Sequence, residues 1–248
     1  HFPSNTSPTN TSPFSLWFSA ELVQRVFRES IMLQVCWSPK GGSGTSVVAA
    51  AIAVQSAARG NQTRLVDLAG DQDALFGAQV GDGIGDWFAA ADEVGVEALR
   101  ALEVELAPKL GLIGRGVAPA HDWSPERMAL ALTLFHHGSD VVVVDAGRRP
   151  PGGCPQGVGE IVVVRACYLG LRRLEAVRRD HTRLVVIEEP GRALSRHDMA
   201  AAVGEIDVVI PWDAAVARAV DAGLLASRVP RSLRPLRALV DSAVGSRR

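Results

Sequence analysis

SPKGGSGTSV, residues 38 to 47, follows the apolar run MLQVCW (32 to 37) and leads into VVAAAIAVQSAA (47 to 58). An apolar run, a glycine-rich turn and a helix-forming stretch, in that order, make a strand, a loop and a helix N-terminus. Glycines let successive backbone N–H groups converge on anionic oxygens, and the helix start adds its partial positive charge, so this context turns a loop into a phosphate cradle. The general phosphate-loop pattern is G-x-x-x-x-G-K-[ST], and here Thr45 stands where the lysine belongs, directly before Ser46.

Beyond the loop the chain alternates short apolar runs with helical patterns, which predicts an α/β fold: a doubly wound, mostly parallel sheet between helices. Strands are expected at 32–38, 63–69, 110–114, 140–146, 160–166, 183–189 and 206–211. Their uniformly apolar character requires cover on both faces. Helices are expected at 44–59, 84–91, 95–102, 124–137, 168–179, 195–203 and 213–223. GRRPPGGCPQGVG (147 to 159) is too rich in Pro and Gly to be regular and directly follows a strand.

The 248 residues, 47% hydrophobic and 21% charged, fit one fairly large soluble domain. A net charge of −1 supplies no global field for nucleic acid or an anionic membrane. The cations are 24 Arg against two Lys, Lys40 and Lys109, so a lysine kept inside the glycine loop stands out. Cys36, Cys154 and Cys167 are odd in number and widely spaced, which argues against a disulfide framework or structural zinc and makes a reducing cytoplasm the expected compartment. No apolar run reaches the roughly 18 to 20 residues that span a bilayer. Residues 1–30 are dominated by Ser, Thr, Asn and Pro, lack the pattern of a signal peptide and are read as a disordered extension, with Met32 as the expected native start.

Two carboxylates sit where a nucleotide site needs them. LVDLAGD (65 to 71) ends one strand with Asp67, and VVVVDAG (141 to 147) ends a later one with Asp145. Carboxyl ends of parallel strands face the ligand crevice of open α/β sheets. With these motifs in this order, the chain resembles the ParA/MinD group of deviant Walker A ATPases, including its CpaE/TadZ-like pilus-localisation branch, over residues 31–226.

The resemblance implies roles residue by residue. Lys40 matches the family's signature lysine, which reaches across an ATP-sandwiched dimer to the partner's phosphates. Gly41, Gly42 and Gly44 match the loop glycines, with Ser43 between them; Ser46 matches the magnesium-binding hydroxyl. Thr45 replaces the second, phosphate-gripping lysine. Asp67 matches the first carboxylate of the family's D-x-D, whereas Ala69 replaces the second, which is implicated in hydrolysis. Asp145 matches the Walker B aspartate. Pro211 and Asp213 match a late segment near the adenine, but the asparagine often found by the base has no counterpart in LVVIEEP (184 to 190). The implied ligands are ATP and Mg2+, with Ser46, Asp67 and Asp145 on the metal; the implied partners are a second copy and a protein of a partitioning, division or pilus/secretion system.

Phosphoryl transfer depends on positioning and charge neutralisation. Losing one preorganised donor costs about 2.7 to 4 kcal/mol of transition-state stabilisation, and losing the carboxylate at Ala69 removes a group that orients water or metal. Hydrolysis is therefore expected to be slow or absent, while binding is expected to survive on the backbone nest, the helix N-terminus, Ser46 and a magnesium held near Asp67 and Asp145. The expected function is a pseudo-ATPase switch that positions other machinery. One alternative is an active partitioning ATPase in which Lys40, Arg148 or Arg149 restores the lost charge; another is a scaffold that binds no nucleotide.

The Arg-rich segment 227–248 carries Leu233, Leu236, Leu239, Val240 and Ala243 near helical spacing. A basic amphipathic helix could touch a membrane or DNA, but the favoured reading packs these side chains on the domain and leaves the arginines in water.

Overall fold

A computed structural model describes residues 32–90, 96–118, 130–131, 134–135, 139–148, 158–177 and 182–245. Among them, eight strands form one sheet in the order β3-β4-β2-β5-β1-β6-β7-β8: β1 Met32–Trp37, β2 Thr63–Asp67, β3 Glu103–Ala107, β4 Leu110–Ile113, β5 Val141–Asp145, β6 Gly159–Arg165, β7 Arg183–Glu188 and β8 Val208–Pro211. Every pairing is parallel except β3 with β4. The expected doubly wound sheet is the observed one.

Period-two alternation along the strands sorts the core into two layers. Met32, Cys36, Leu65, Val141, Val143, Ile161, Val163 and Val185 face one side of the sheet, whereas Leu33, Val35, Trp37, Val66, Val142, Val144, Val162 and Val164 face the other. Helix α1, Thr45–Ala57, covers the first face. Its run of Val48 through Val54 is buried all round, as expected of a helix held between the sheet on one side and the C-terminal segment on the other.

Further helices among the described residues are α2 Gln72–Phe76, α3 Ile84–Ala89, α4 Val96–Ala101, α5 Tyr168–Glu175, α6 Arg196–Val203, α7 Ala214–Asp221 and α8 Arg237–Gly245, the last preceded by a 3-10 helix, Arg231–Leu236. Helix α5 packs Leu171 and Leu174 on the face opposite α1. The connections leaving β1 and its neighbour β6 thus cross opposite faces of the sheet, which opens a crevice at the carboxyl ends of these strands.

Two elements depart from the sequence reading. Strand β3 lies at the sheet edge, with Glu103, Val104, Leu106 and Ala107 only half buried, so it lacks the apolar run that marks the others. It is anchored by Glu103, which reaches past Gly111 of β4 to take hydrogen bonds from Arg64 of β2. A Cβ at Gly111 would collide with that carboxylate, so the glycine is required by this crossing. Helix α2, five residues long, is too short to carry a periodic signal. Of the helix expected at 124–137, Leu130, Ala131, Leu134 and Phe135 are helical; its other residues, the extension 1–30, most of the loop 147–159, and Cys154 lie outside the described residues. Among the described residues no helix is long and apolar enough to cross a membrane.

Candidate nucleotide-binding site

Register brings the expected site residues to one level. Cys36 at the end of β1 pairs with Asp145 at the end of β5, and Asp145 pairs with Asp67 at the end of β2. The loop that leaves β1 therefore begins beside both carboxylates. Its shape is held from within: the Ser38 and Ser43 hydroxyls both donate to the Lys40 carbonyl, at 2.8 and 2.7 Å, and the Lys40 amide donates back to the Ser38 hydroxyl at 3.2 Å. Gly42 and Gly44 take φ of 73° and 89°, which side chains rarely adopt, and a Cβ on either would meet no atom within 4 Å. That open space over a loop leading straight into the 13 residues of α1 fits an anion.

Thr45 opens α1 and is buried, so its short neutral side chain offers no charge to the cradle. Lys40 turns its ammonium to the Gly41 carbonyl at 3.4 Å. The Ser46 hydroxyl donates to the Asp71 carboxylate at 3.2 Å. Gln72 fills the space between loop and strand: fully buried, its amide donates to the Ser46 carbonyl at 3.0 Å and to Asp145 at 2.8 Å. Among the described residues its amide oxygen finds no partner. The sequence carried no motif for Asp71 or Gln72, because their role exists only once β2, β5 and α1 meet.

Asp67 has a structural duty that motif matching did not foresee. Its carboxylate accepts the backbone N–H groups of Ala69, Gly70 and Gln72 at 2.9, 2.7 and 2.9 Å, fixing the turn after β2. Asp145 accepts the Gly147 amide at 3.1 Å in addition to Gln72. Arg115 donates to the Ala69 carbonyl at 3.3 Å and, with Asp67, Gly70 and Asp73, lines a small open cleft. Where a carboxylate was missed from the sequence, the structure thus has a methyl group with a guanidinium nearby. Among the described residues no group of three or more His, Cys, Asp or Glu side chains could hold a metal by itself. A magnesium bound by one hydroxyl, one or two carboxylates, phosphate and water needs no such cage.

Pro211 ends β8 and Asp213 caps α7, accepting the Ala215 amide at 2.8 Å and the Ser232 hydroxyl at 2.8 Å. β8 is the outermost strand on its side, separated from β1 by β6 and β7, so these two residues stand apart from the phosphate loop.

No protein-family model matches the chain, and no curated protein is close to it in sequence. Solved structures resemble it in fold. A ParA family ATPase from Chlorobium tepidum superposes with a TM-score of 0.68 at 21% identity over 87% of this chain and 98% of that one. The chain has the ParA/MinD fold. MinD from Pyrococcus horikoshii, solved with Mg-ADP, superposes at 0.66 with 16% identity over 86% and 95% of the two chains. MinD in the MinC:MinD complex of Aquifex aeolicus superposes at 0.65 with 19% identity over 84% and 96%.

On this ParA/MinD frame the two buried carboxylates are unevenly loaded. Burial pushes the Asp67 carboxyl up to about 6, and nearby Asp145 adds to the rise, while the amides of Gly70, Gln72 and Ala69 oppose it. Burial likewise raises Asp145, opposed by hydrogen bonds from Gln72 and Gly147 and by the nearby Ser46 hydroxyl. A carboxyl whose folded value lies above its unfolded 3.8 contributes stability that is present below about pH 4 and lost as pH rises through about 6, on the order of 3 kcal/mol for Asp67. A bound cation reverses that loss, because it competes with the proton. The thermal midpoint with ATP should therefore gain several degrees on adding Mg2+ at pH 7.5 and almost nothing at pH 5. Equal gains at both pH values would show that these carboxylates do not face the metal.

Proposed function

We propose that this protein is a nucleotide-responsive switch on a ParA/MinD frame: it binds ATP with Mg2+, turns it over slowly or not at all, and positions a partner of a partitioning, division or pilus/secretion system. The observation that carries this reading is a cradle kept in backbone and lost in side chains. Gly42 and Gly44 keep their left-handed conformations under open space, while position 45 is a buried threonine and position 69 an alanine. The amides from Gly41 to Thr45 would hold the phosphates, and Ser46 with Asp145 would hold the magnesium. Asp67 would face the same magnesium from the turn that it fixes. Magnesium, when bound, neutralises charge between the terminal phosphates.

Lys40 is the residue assigned to a second copy's phosphates, so binding of ATP should promote a homodimer. Pro211 and Asp213 would border the base, with the cap of α7 holding that segment in place. MinD in its Mg-ADP complex and in its complex with MinC supports this reading of ligand and partner by likeness of fold. Titration of a fluorescent ATP analogue into the purified protein, with Mg2+ and with chelator, tests it. Saturable binding that strengthens with Mg2+ is expected; no binding under either condition would leave a scaffold that acts through protein contacts alone.

A further inference from the structure

Gly41 is the loop glycine with no conformational reason to be one. Unlike Gly42 and Gly44 it lacks a positive φ, yet a Cβ there would sit 3.2 Å from Cδ, 3.5 Å from Nε and 3.8 Å from Cγ of Arg148. The stem of Arg148 therefore lies close over Gly41, on the loop itself. That arginine comes from the loop after β5 and is held there by its neighbour: the Gly147 amide donates to Asp145 at 3.1 Å, and the Gly147 carbonyl accepts the Ser38 amide, the first of the phosphate loop, at 2.9 Å. Gly147 itself turns at φ 61°. The stem of Arg148 is thus laid on the loop by two hydrogen bonds of Gly147, one within the end of β5 and one that ties it to the end of β1.

We infer that Arg148 supplies, within one chain, a cation that holds the phosphates of a bound nucleoside di- or triphosphate in the ground state, replacing the loss at Thr45 for binding but not for phosphoryl transfer. This rests on the reading of the site as a nucleotide site. The other cations near the loop are placed differently: Lys40 is turned to the Gly41 carbonyl, Arg173 donates to the Pro39 carbonyl at 3.4 Å at the loop's outer end, and Arg115 lies at Ala69. Arg148 is exposed, and among the described residues no carboxylate pairs with it. A guanidinium suits this duty, because its planar fork takes two phosphate oxygens at once and keeps its charge at any working pH.

The test is binding of a fluorescent ATP analogue with Mg2+ to four forms of the full chain: wild type, Arg148→Ala, Arg148→Lys, and Thr45→Lys combined with Arg148→Ala. Charged hydrogen bonds of this kind are each worth about tenfold or more in affinity. Arg148→Ala should weaken binding by at least about tenfold with an unchanged thermal midpoint, Arg148→Lys should recover part of the loss, and Thr45→Lys in the Arg148→Ala background should restore binding to within about threefold of wild type. A merely structural arginine would not be rescued from position 45. Wild-type affinity in Arg148→Ala, or a loss that Thr45→Lys leaves in place, would overturn the inference while leaving the nucleotide site standing. Failure of all four forms to bind would overturn both.

Discussion

Thr45→Lys combined with Ala69→Asp should raise ATP turnover by about two orders of magnitude or more, read as phosphate release at saturating Mg-ATP. One preorganised cation at the transferring phosphoryl group is worth about 2.7 to 4 kcal/mol on its own. The carboxylate adds water or metal orientation on the opposite side, where Ala69 stands beside the turn at Gly147, its Cβ 3.2 Å from where a Cβ of Gly147 would lie. The guanidinium of Arg115, already at the Ala69 carbonyl, will compete for the new carboxylate. Thr45→Lys alone should therefore account for most of the gain. Unchanged turnover in a double variant that still binds ATP would place the deficiency elsewhere in the site.

Removing residues 231–248 should cost most of the stability of the fold. Leu233, Leu236, Leu239 and Val240 are all buried in the layer that holds α1. Each buried side chain of this size contributes about 1.5 to 3 kcal/mol, so four of them approach the whole margin of about 5 to 15 kcal/mol that a domain has. The cut also removes the hydrogen bond from Gln55 to the Leu233 carbonyl at 3.1 Å, that from Arg183 to the Leu239 carbonyl at 3.0 Å, and the ion pair of Arg59 with Asp241. Loss of a cooperative thermal transition is the expected result. A shortened protein that melts within a few degrees of the full chain would contradict it. With these four apolar residues turned inward, the segment has little to offer a lipid surface, and co-sedimentation with anionic vesicles should be weak.

Most of the fold was legible because parallel strands buried on both faces leave continuous apolar runs, and seven of the eight strands do so. Strand β3 was not, since an edge strand with Glu103 and Glu105 carries no such run. The tail was legible from its leucine spacing. Around the candidate site, the placement of the loop glycines and of Asp67 and Asp145 at strand ends was readable because motif and strand end coincide. The work of Asp67 on three backbone amides, the bridge made by Gln72, and the bond from Ser46 to Asp71 depend on how β2, β5 and α1 meet, which no local pattern records. Arg148 was visible only as one of two adjacent arginines; its contact with Gly41 singles it out, while Arg149 lies outside the described residues.

The central claim is that nucleotide is held and not efficiently turned over, and a single-turnover experiment reads both halves at once. Excess protein is mixed with Mg2+ and trace ATP labelled in its γ-phosphate, and filter-retained label and released phosphate are followed together. Retained label with release far slower than about 1 s⁻¹, the low end of ordinary enzymes, is the expected result. Release at about 1 s⁻¹, or no retained label at any protein concentration up to saturation of solubility, would contradict it.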